Sequence, residues 1–214
     1  ARDKDRRWYP HAVWRMNGEG RDAEQARASG RRLAIALWLN VGLAVLLVVA
    51  GEAARSSGLL ANALDSGSDA AVYAISYFSV RRSRTWKINA ARVAGTMLLI
   101  LSVAVLLDVA RKAALGTEPV GVAMMLLTLV AVGVNILCLR LLVGERKGEV
   151  NLRAAWTFSI NDLLSNAGVL VAGLLVLWTG RSWPDLVIGL AIALVVGKGG
   201  LDILRDAGRS SRGK

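Results

Sequence analysis

The apolar residues of this chain are gathered into blocks, at 33–54, 94–110, 120–143, 167–178 and 186–196, with charge confined mostly to the stretches between them. A helix needs about 20 mainly apolar residues to cross the hydrocarbon core of a bilayer. The longer blocks reach that length directly. The two short ones reach it only if polar residues beside them enter the membrane too, and the bilayer makes such residues expensive and therefore informative. A soluble domain of 214 residues with 54% hydrophobic content would not segregate them in this way. The chain therefore reads as an all-α integral membrane protein.

The pattern predicts six transmembrane helices, over 33–54, 59–80, 88–114, 120–143, 152–179 and from about 183 to about 205. Gly116 and Pro119 close the third, and Pro184 suits the first turn of the sixth. Three parts follow: a polar, Arg-rich segment at 1–32, a six-helix membrane domain at 33–205, and a short tail at 206–214 whose GRSSRGK end reads as disordered. No cleavable signal peptide is expected, because a long charged stretch precedes the first apolar block.

Charge sets the orientation. The net charge is +11, which in a soluble protein would suggest nucleic acid. Here the basic residues sit at the ends of apolar blocks, with no basic face interleaved with aromatics, and nucleic acid is excluded as a partner. Arg2 to Arg32, Arg81 to Lys87, Arg146 to Arg153 and Arg205 to Lys214 are the strongly basic segments, whereas the alternate loops offer Arg55 and Arg181. Lys and Arg favour cytoplasmic loops. An even number of spans with both termini cytoplasmic puts all four basic segments on one side, in a multi-pass protein of the cell (inner) membrane. Trp8, Trp14, Trp38, Trp86, Trp156, Trp178 and Trp183 fall mostly near helix ends, where interfacial anchors belong.

The chemistry lies in the acids that the second and fifth helices carry into the bilayer. Asp65 and Asp69 are four apart and share a helix face, and Asn62, Tyr73, Ser76 and Tyr77 continue roughly the same stripe. Like charges at this spacing repel, so two bare carboxylates are tolerable only if a cation or protons neutralise them. Asp162 lies about ten residues into the fifth helix, roughly mid-membrane at 1.5 Å per residue. Since the second helix runs the opposite way, the three acids are expected at similar depth, and they converge if the two helices pack together.

Other polar residues have plainer readings. Asp108 is expected to pair with Arg111 and Lys112, and Lys198 with Asp202, each as a local i,i+3 or i,i+4 pair. Glu52 is expected in solvent near the outer interface. Asn40 and Asn135 are expected to make interhelical hydrogen bonds. Gly42, Gly95, Gly133, Gly168 and Gly173 are expected to permit close helix packing. Cys138 cannot form an intrachain disulfide, as it is the only cysteine, and His11, the only histidine, supplies too few ligands for a metal site. There is no HExxH, GxSxG or Walker-type motif, so the chain does not read as an enzyme.

The stretches SSGLLANALDSGSDAAVYAISYFSVRRS, RAAWTFSINDLLSNAGVLVAGLLV and PDLVIGLAIALVVGKGGLDILRDA resemble the second, fifth and sixth helices of the cation diffusion facilitator family. The resemblance covers residues 33–207. It implies a homodimeric antiporter that moves Zn2+, or Mn2+, Fe2+, Co2+ or Mg2+, out of the cytoplasm in exchange for protons, with no cofactor beyond the transported ion. The family's site takes two residues from each of the second and fifth helices. Carried over, these are Asp65, Asp69, Asp162 and position 158, which is Phe158 where the family usually has a ligand. Water, Asn161 or a backbone carbonyl would then complete the shell, and an all-oxygen site suits harder ions. The chain also resembles the shorter members that lack a cytoplasmic domain after the sixth helix. The competing expectation is a non-transporting membrane partner or scaffold subunit with a degenerate metal site.

Overall fold

The computed structural model describes residues 11–54, 57–115, 122–181 and 183–212. Gly116, Pro119, Arg55 and Trp8, among the residues that the sequence singles out, lie outside the described residues. The helices are α1 (His11–Ala54), α2 (Ser57–Ser79), α3 (Arg84–Leu115), α4 (Val122–Leu142), α5 (Val150–Thr179) and α6 (Trp183–Arg212), with one turn of 3-10 helix at Val143–Lys147 between α4 and α5. The described residues contain no strand. The helices at 23–53, 84–115, 125–147, 150–179 and 183–212 are long and apolar enough to cross a membrane. The helix α2 falls short in hydropathy because Asn62, Asp65, Ser66, Ser68 and Asp69 occupy its first half.

Two boundaries differ from expectation. The first helix does not begin at 33 but extends back to His11. The stretch before Leu33 is rich in Arg and Ala, both good helix formers, and has no proline after Pro10. At the other end of the chain, α6 continues to Arg212, so residues 208–212 are helical and not disordered. Tertiary contacts hold this extension: Ala207 is buried, Asp206 pairs with Arg153 at 2.8 Å, and Arg84 Nη2 donates to the Ser210 carbonyl at 2.6 Å.

The same contacts gather the basic segments at one end of the bundle. Ser29 Oγ and Arg32 Nη1 of α1 donate to Glu145 Oε1 in the α4–α5 turn, at 2.8 and 2.9 Å. Glu145 is only 2% exposed, and these partners satisfy its charge. Lys87 at the start of α3 pairs with Glu149 just before α5, and the Arg82 guanidinium lies 5.8 Å from the Trp86 ring centre. This basic end therefore collects residues from the α2–α3 and α4–α5 turns, α1 and the end of α6. At the opposite end Gly180, with φ +64°, adopts the left-handed conformation that terminates α5, its N–H bonding the Val176 carbonyl.

The core falls into clusters. One joins α3, α5 and α6 with Val72 of α2, and includes Ile88, Ala91, Leu98, Phe158, Val196 and Ile203. A second joins α1, α2, α4 and α5 around Leu33, Tyr73, Cys138, Leu142 and Ala155. A third, smaller one joins α1, α2 and α4 through Leu43, Leu47, Leu59, Ala63 and Ala131. The outward faces are apolar as well: Val49, Phe78, Ile100, Leu107, Leu177 and Leu194 are all exposed. In water such a surface would aggregate, whereas in a bilayer it meets lipid.

Small residues allow closest approach where α3 meets α6. A Cβ on Gly200 would stand 2.9 Å from the Gly95 carbonyl oxygen, and one on Gly95 would stand 3.0 Å from that of Gly200. Gly168 faces Ile192 of α6, and Gly173 is buried. Gly42 and Gly133 do not serve close packing within the chain, because each faces open space on the outer sides of α1 and α4.

Candidate functional site

The helices α2 and α5 lie side by side and antiparallel. At the basic end, Asn151 Nδ2 in the first turn of α5 donates to Ser79 Oγ at 2.8 Å and to the Ser76 carbonyl at 3.3 Å. Farther along, Asn166 of α5 reaches Asp65 near the start of α2. Between these two fixed points Asp69 and Asp162 face one another.

The 3.6-residue period places Asp65, Asp69 and Tyr73 along one stripe of α2, and Phe158, Asp162 and Asn166 along one stripe of α5. Asp69 is 2% exposed and Asp162 6%, while Asp65, on the side away from the basic end, is half-buried. The Asp162 carboxyl is close enough to both Asp65 and Asp69 for a proton to bridge each pair. Ionised carboxylates are acceptors only, so a proton or a cation must lie between them for this approach to be favourable. Asp69 Oδ1 is buried with no hydrogen-bond donor. Among the described residues no three His, Cys, Asp or Glu side chains close around a common point as a metal cage. The acids instead meet pairwise, with Asp162 touching both acids of α2.

Asn166 belongs to this cluster and escaped the sequence analysis. Its Nδ2 donates to Asp162 Oδ1 at 3.0 Å, to the Asp162 carbonyl at 3.2 Å and to Asp65 Oδ2 at 3.4 Å. The signal was its position four residues after Asp162, on the same face. Asn161, expected as a possible ligand, is elsewhere. Its Nδ2 donates back to the Thr157 carbonyl at 2.8 Å, and its amide packs directly on Gly199 of α6. One residue along a helix turns the side chain by about 100°, enough to move it from the α2 face to the α6 face. Phe158 is fully buried in the core cluster with Val72, Leu98 and Val196 and contributes no polar atom.

The basic side of the acids is filled. Tyr73 is 1% exposed one turn from Asp69, and Phe158 lies one turn from Asp162. Beyond them, Asn151 and Ser79 join the helices.

The other polar residues that the sequence singles out have their own partners or exposure. Asn40 donates to the Ala36 carbonyl of its own helix and to Cys138 Sγ of α4, at 3.0 and 3.4 Å. Asn135 is buried, Asn62 bonds Thr128 of α4, and Glu52 is exposed. Asp108 pairs with Arg111 and Lys112 as expected, and Lys112 also bridges to Asp185 in the first turn of α6 at 2.9 Å. Asp202, however, pairs with Arg205 and not with Lys198. Lys198 is exposed and forms no ion pair among the described residues. Both partners of Asp202 lay within one helical turn, and the local spacing does not decide between them.

The family model of the cation efflux transmembrane domain matches residues 33–210. A cadmium, cobalt and zinc/H(+)-K(+) antiporter of Bacillus velezensis is 23% identical over 203 residues, covering 88% of this chain and 65% of that protein. The zinc transporter ZitB of Escherichia coli is 26% identical over 84% of this chain and 61% of its own length. The metal cation efflux system protein CzcD of Cupriavidus metallidurans is 24% identical over 84% and 60%. The chain thus spans less than two thirds of the length of these relatives.

Proposed function

Because the chain belongs to the cation efflux family, matching its transmembrane domain over residues 33–210, we propose that it exports a divalent metal cation from the cytoplasm in exchange for protons, through a site formed by Asp65, Asp69 and Asp162. The observation that carries this reading is the approach of Asp162 of α5 to both Asp65 and Asp69 of the antiparallel α2 in an apolar bundle, with a buried Asp69 oxygen that has no donor. A charged side chain at mid-bilayer costs about 2.5–3.5 kcal/mol on insertion scales. A divalent guest offsets the charge of two such groups, and protons do the same by neutralising them.

In this reading all six helices span the membrane, α2 included, and both termini face the cytoplasm. The clustering of Arg32, Lys87, Arg153 and their partners at one end supports that orientation. Metal enters from the basic end when α2 and α5 part around Tyr73 and Phe158. The carboxylates bind it, the helices rock, and protons arriving from the opposite side remove the charge that held it. The protonated helices then reset. The protein works in the inner cell membrane as a homodimer. The names of the relatives above include zinc, cadmium and cobalt. Zn2+ is the first ion to test, with Mn2+, Fe2+ and Co2+ beside it.

The test is flux into liposomes holding the purified chain, with a panel of divalent ions and with or without a pH gradient. Wild type should move at least one ion, faster with the gradient, while Asp69→Asn and Asp162→Asn should fall to the level of empty liposomes. A wild type that moves no ion would sink the proposal. The second reading, a non-transporting partner subunit, is favoured by one feature: the ring of Phe158 fills a position from which a ligand is missing. It requires that both Asn variants keep whatever function the subunit has.

A further inference from the structure

We propose that Asn166 is the fourth coordinating group of the cation site, supplying its side-chain carbonyl oxygen where Phe158 supplies nothing. The inference rests on the export reading and sharpens it to a donor set and an ion class.

Residues 158, 162 and 166 share one face of α5. At one end of this row the ring of Phe158 is locked among Val72, Ala91, Leu98 and Val196, so no rotation of that side chain can bring a donor to Asp162. On the export reading the pairwise-placed carboxylates close around one ion when it binds, and three of them leave a four-coordinate shell one ligand short. At the other end of the row Asn166 is 7% exposed, and its amide already touches acids of both helices: Asp162 at 3.0 Å and Asp65 at 3.4 Å. Asp69, 2% exposed and with no hydrogen-bond donor on its Oδ1, is a second observation at the same cluster.

An Asn side chain carries a donor and an acceptor on one plane, and its last torsion is broad and roughly two-fold. With Nδ2 inward it donates to the carboxylates, as observed here. Half a turn about that torsion puts Oδ1 in the same place. The same side chain therefore satisfies the acids when no cation is present and coordinates the cation when one is. Asn161 cannot substitute, since its amide is committed to Thr157 and Gly199. The resulting shell is four oxygens with no nitrogen or sulfur, which suits a hard ion such as Mn2+ better than a site with imidazole does.

The experiment measures Mn2+ and Zn2+ binding calorimetrically at pH 7.5 on the purified full chain, comparing wild type with Asn166→Leu, Asn166→Asp and Asn166→His. Asn166→Leu should lose tenfold or more in affinity for both ions. Asn166→Asp should bind as tightly as wild type or tighter. Asn166→His should move the Zn2+:Mn2+ affinity ratio at least tenfold toward Zn2+, a change that a packing role would not produce. Should wild type bind while Asn166→Leu binds equally well, or Asn166→His keep the wild-type ratio, the role of Asn166 falls and the export reading stands. Should wild type bind neither ion and move none into liposomes, the export reading falls and takes this inference with it.

Discussion

The seam between α3 and α6 and the seam between α2 and α5 are built on opposite principles. Along α3–α6, Gly95 and Gly200 bring backbone against backbone, Ser102 Oγ bonds the Ala193 carbonyl at 2.8 Å, and Lys112 ties the far end to Asp185. Along α2–α5, polar groups of side chains do much of the joining: Asn151 to Ser79, Asp162 to Asp65 and Asp69, Asn166 to two acids. Close backbone packing has no alternative partner in lipid and holds one geometry. Hydrogen bonds between side chains can be exchanged for water, a proton or an ion. On the proposed export reading, a passage that opens and closes belongs in the second kind of seam, where the acids lie.

The largest expected effect tests that exchange directly. Metal binding by carboxylates displaces protons, so affinity should fall as pH falls, by about tenfold per pH unit for each proton displaced. Titrating Zn2+ or Mn2+ at pH 7.5 and 5.5 should thus show weaker binding at the lower pH, by up to about a hundredfold for one proton. Affinity independent of pH would mean that the α2–α5 seam does not trade protons for metal.

Next in size is a steric break of the other seam. Gly200→Val should drive a side chain into the Gly95 carbonyl and Leu99, costing about 1–3 kcal/mol as overpacking does. Thermal unfolding in detergent would read this as a lowered midpoint. Gly42→Ala is the matched control: its Cβ meets nothing, and better helix propensity should leave the midpoint unchanged or slightly raised. Equal losses in both would erase the distinction between a tight seam and an open face.

The smallest effect concerns the join at the basic end. Asn151→Ala removes the bonds to Ser79 and Ser76 and should cost about 0.6 kcal/mol, the average for such interhelical bonds in membranes. If this join helps close the path to the acids, a cysteine placed at Ser76, whose bond to Asn151 runs through its backbone carbonyl, should react faster with a polar thiol reagent in the Asn151→Ala background, with Cys138 replaced beforehand. An unchanged rate would show that Tyr73 and Phe158 close the path without it.

Much of the site was legible before any coordinates. The Asp65–Asp69 stripe and the register of Asp162 follow from spacing along single helices, whereas Phe158 stands out only through the family resemblance. The partner of Asp202 and the direction of Asn161 were not legible, because each depends on which neighbour a helix face meets. Asn166 sits between these cases. Its spacing from Asp162 was visible, but its worth came only from the nearness of Asp65 on another helix, 101 positions away.

The sequence by itself determined the helices, their apolar content, the acidic stripe of α2 and the single acid of α5, because helical period and the length needed to cross a bilayer are local properties. Even there the reach of α1 back to His11 and of α6 to Arg212 exceeded what the apolar blocks marked. Tertiary structure alone decided that α2 and α5 turn those acids toward each other, that Gly95 rather than Gly42 lies in a seam, and that Asn166 rather than Asn161 joins the acids. The reason is rotational: a helix presents every side chain somewhere, and only packing against its neighbours fixes which face looks inward.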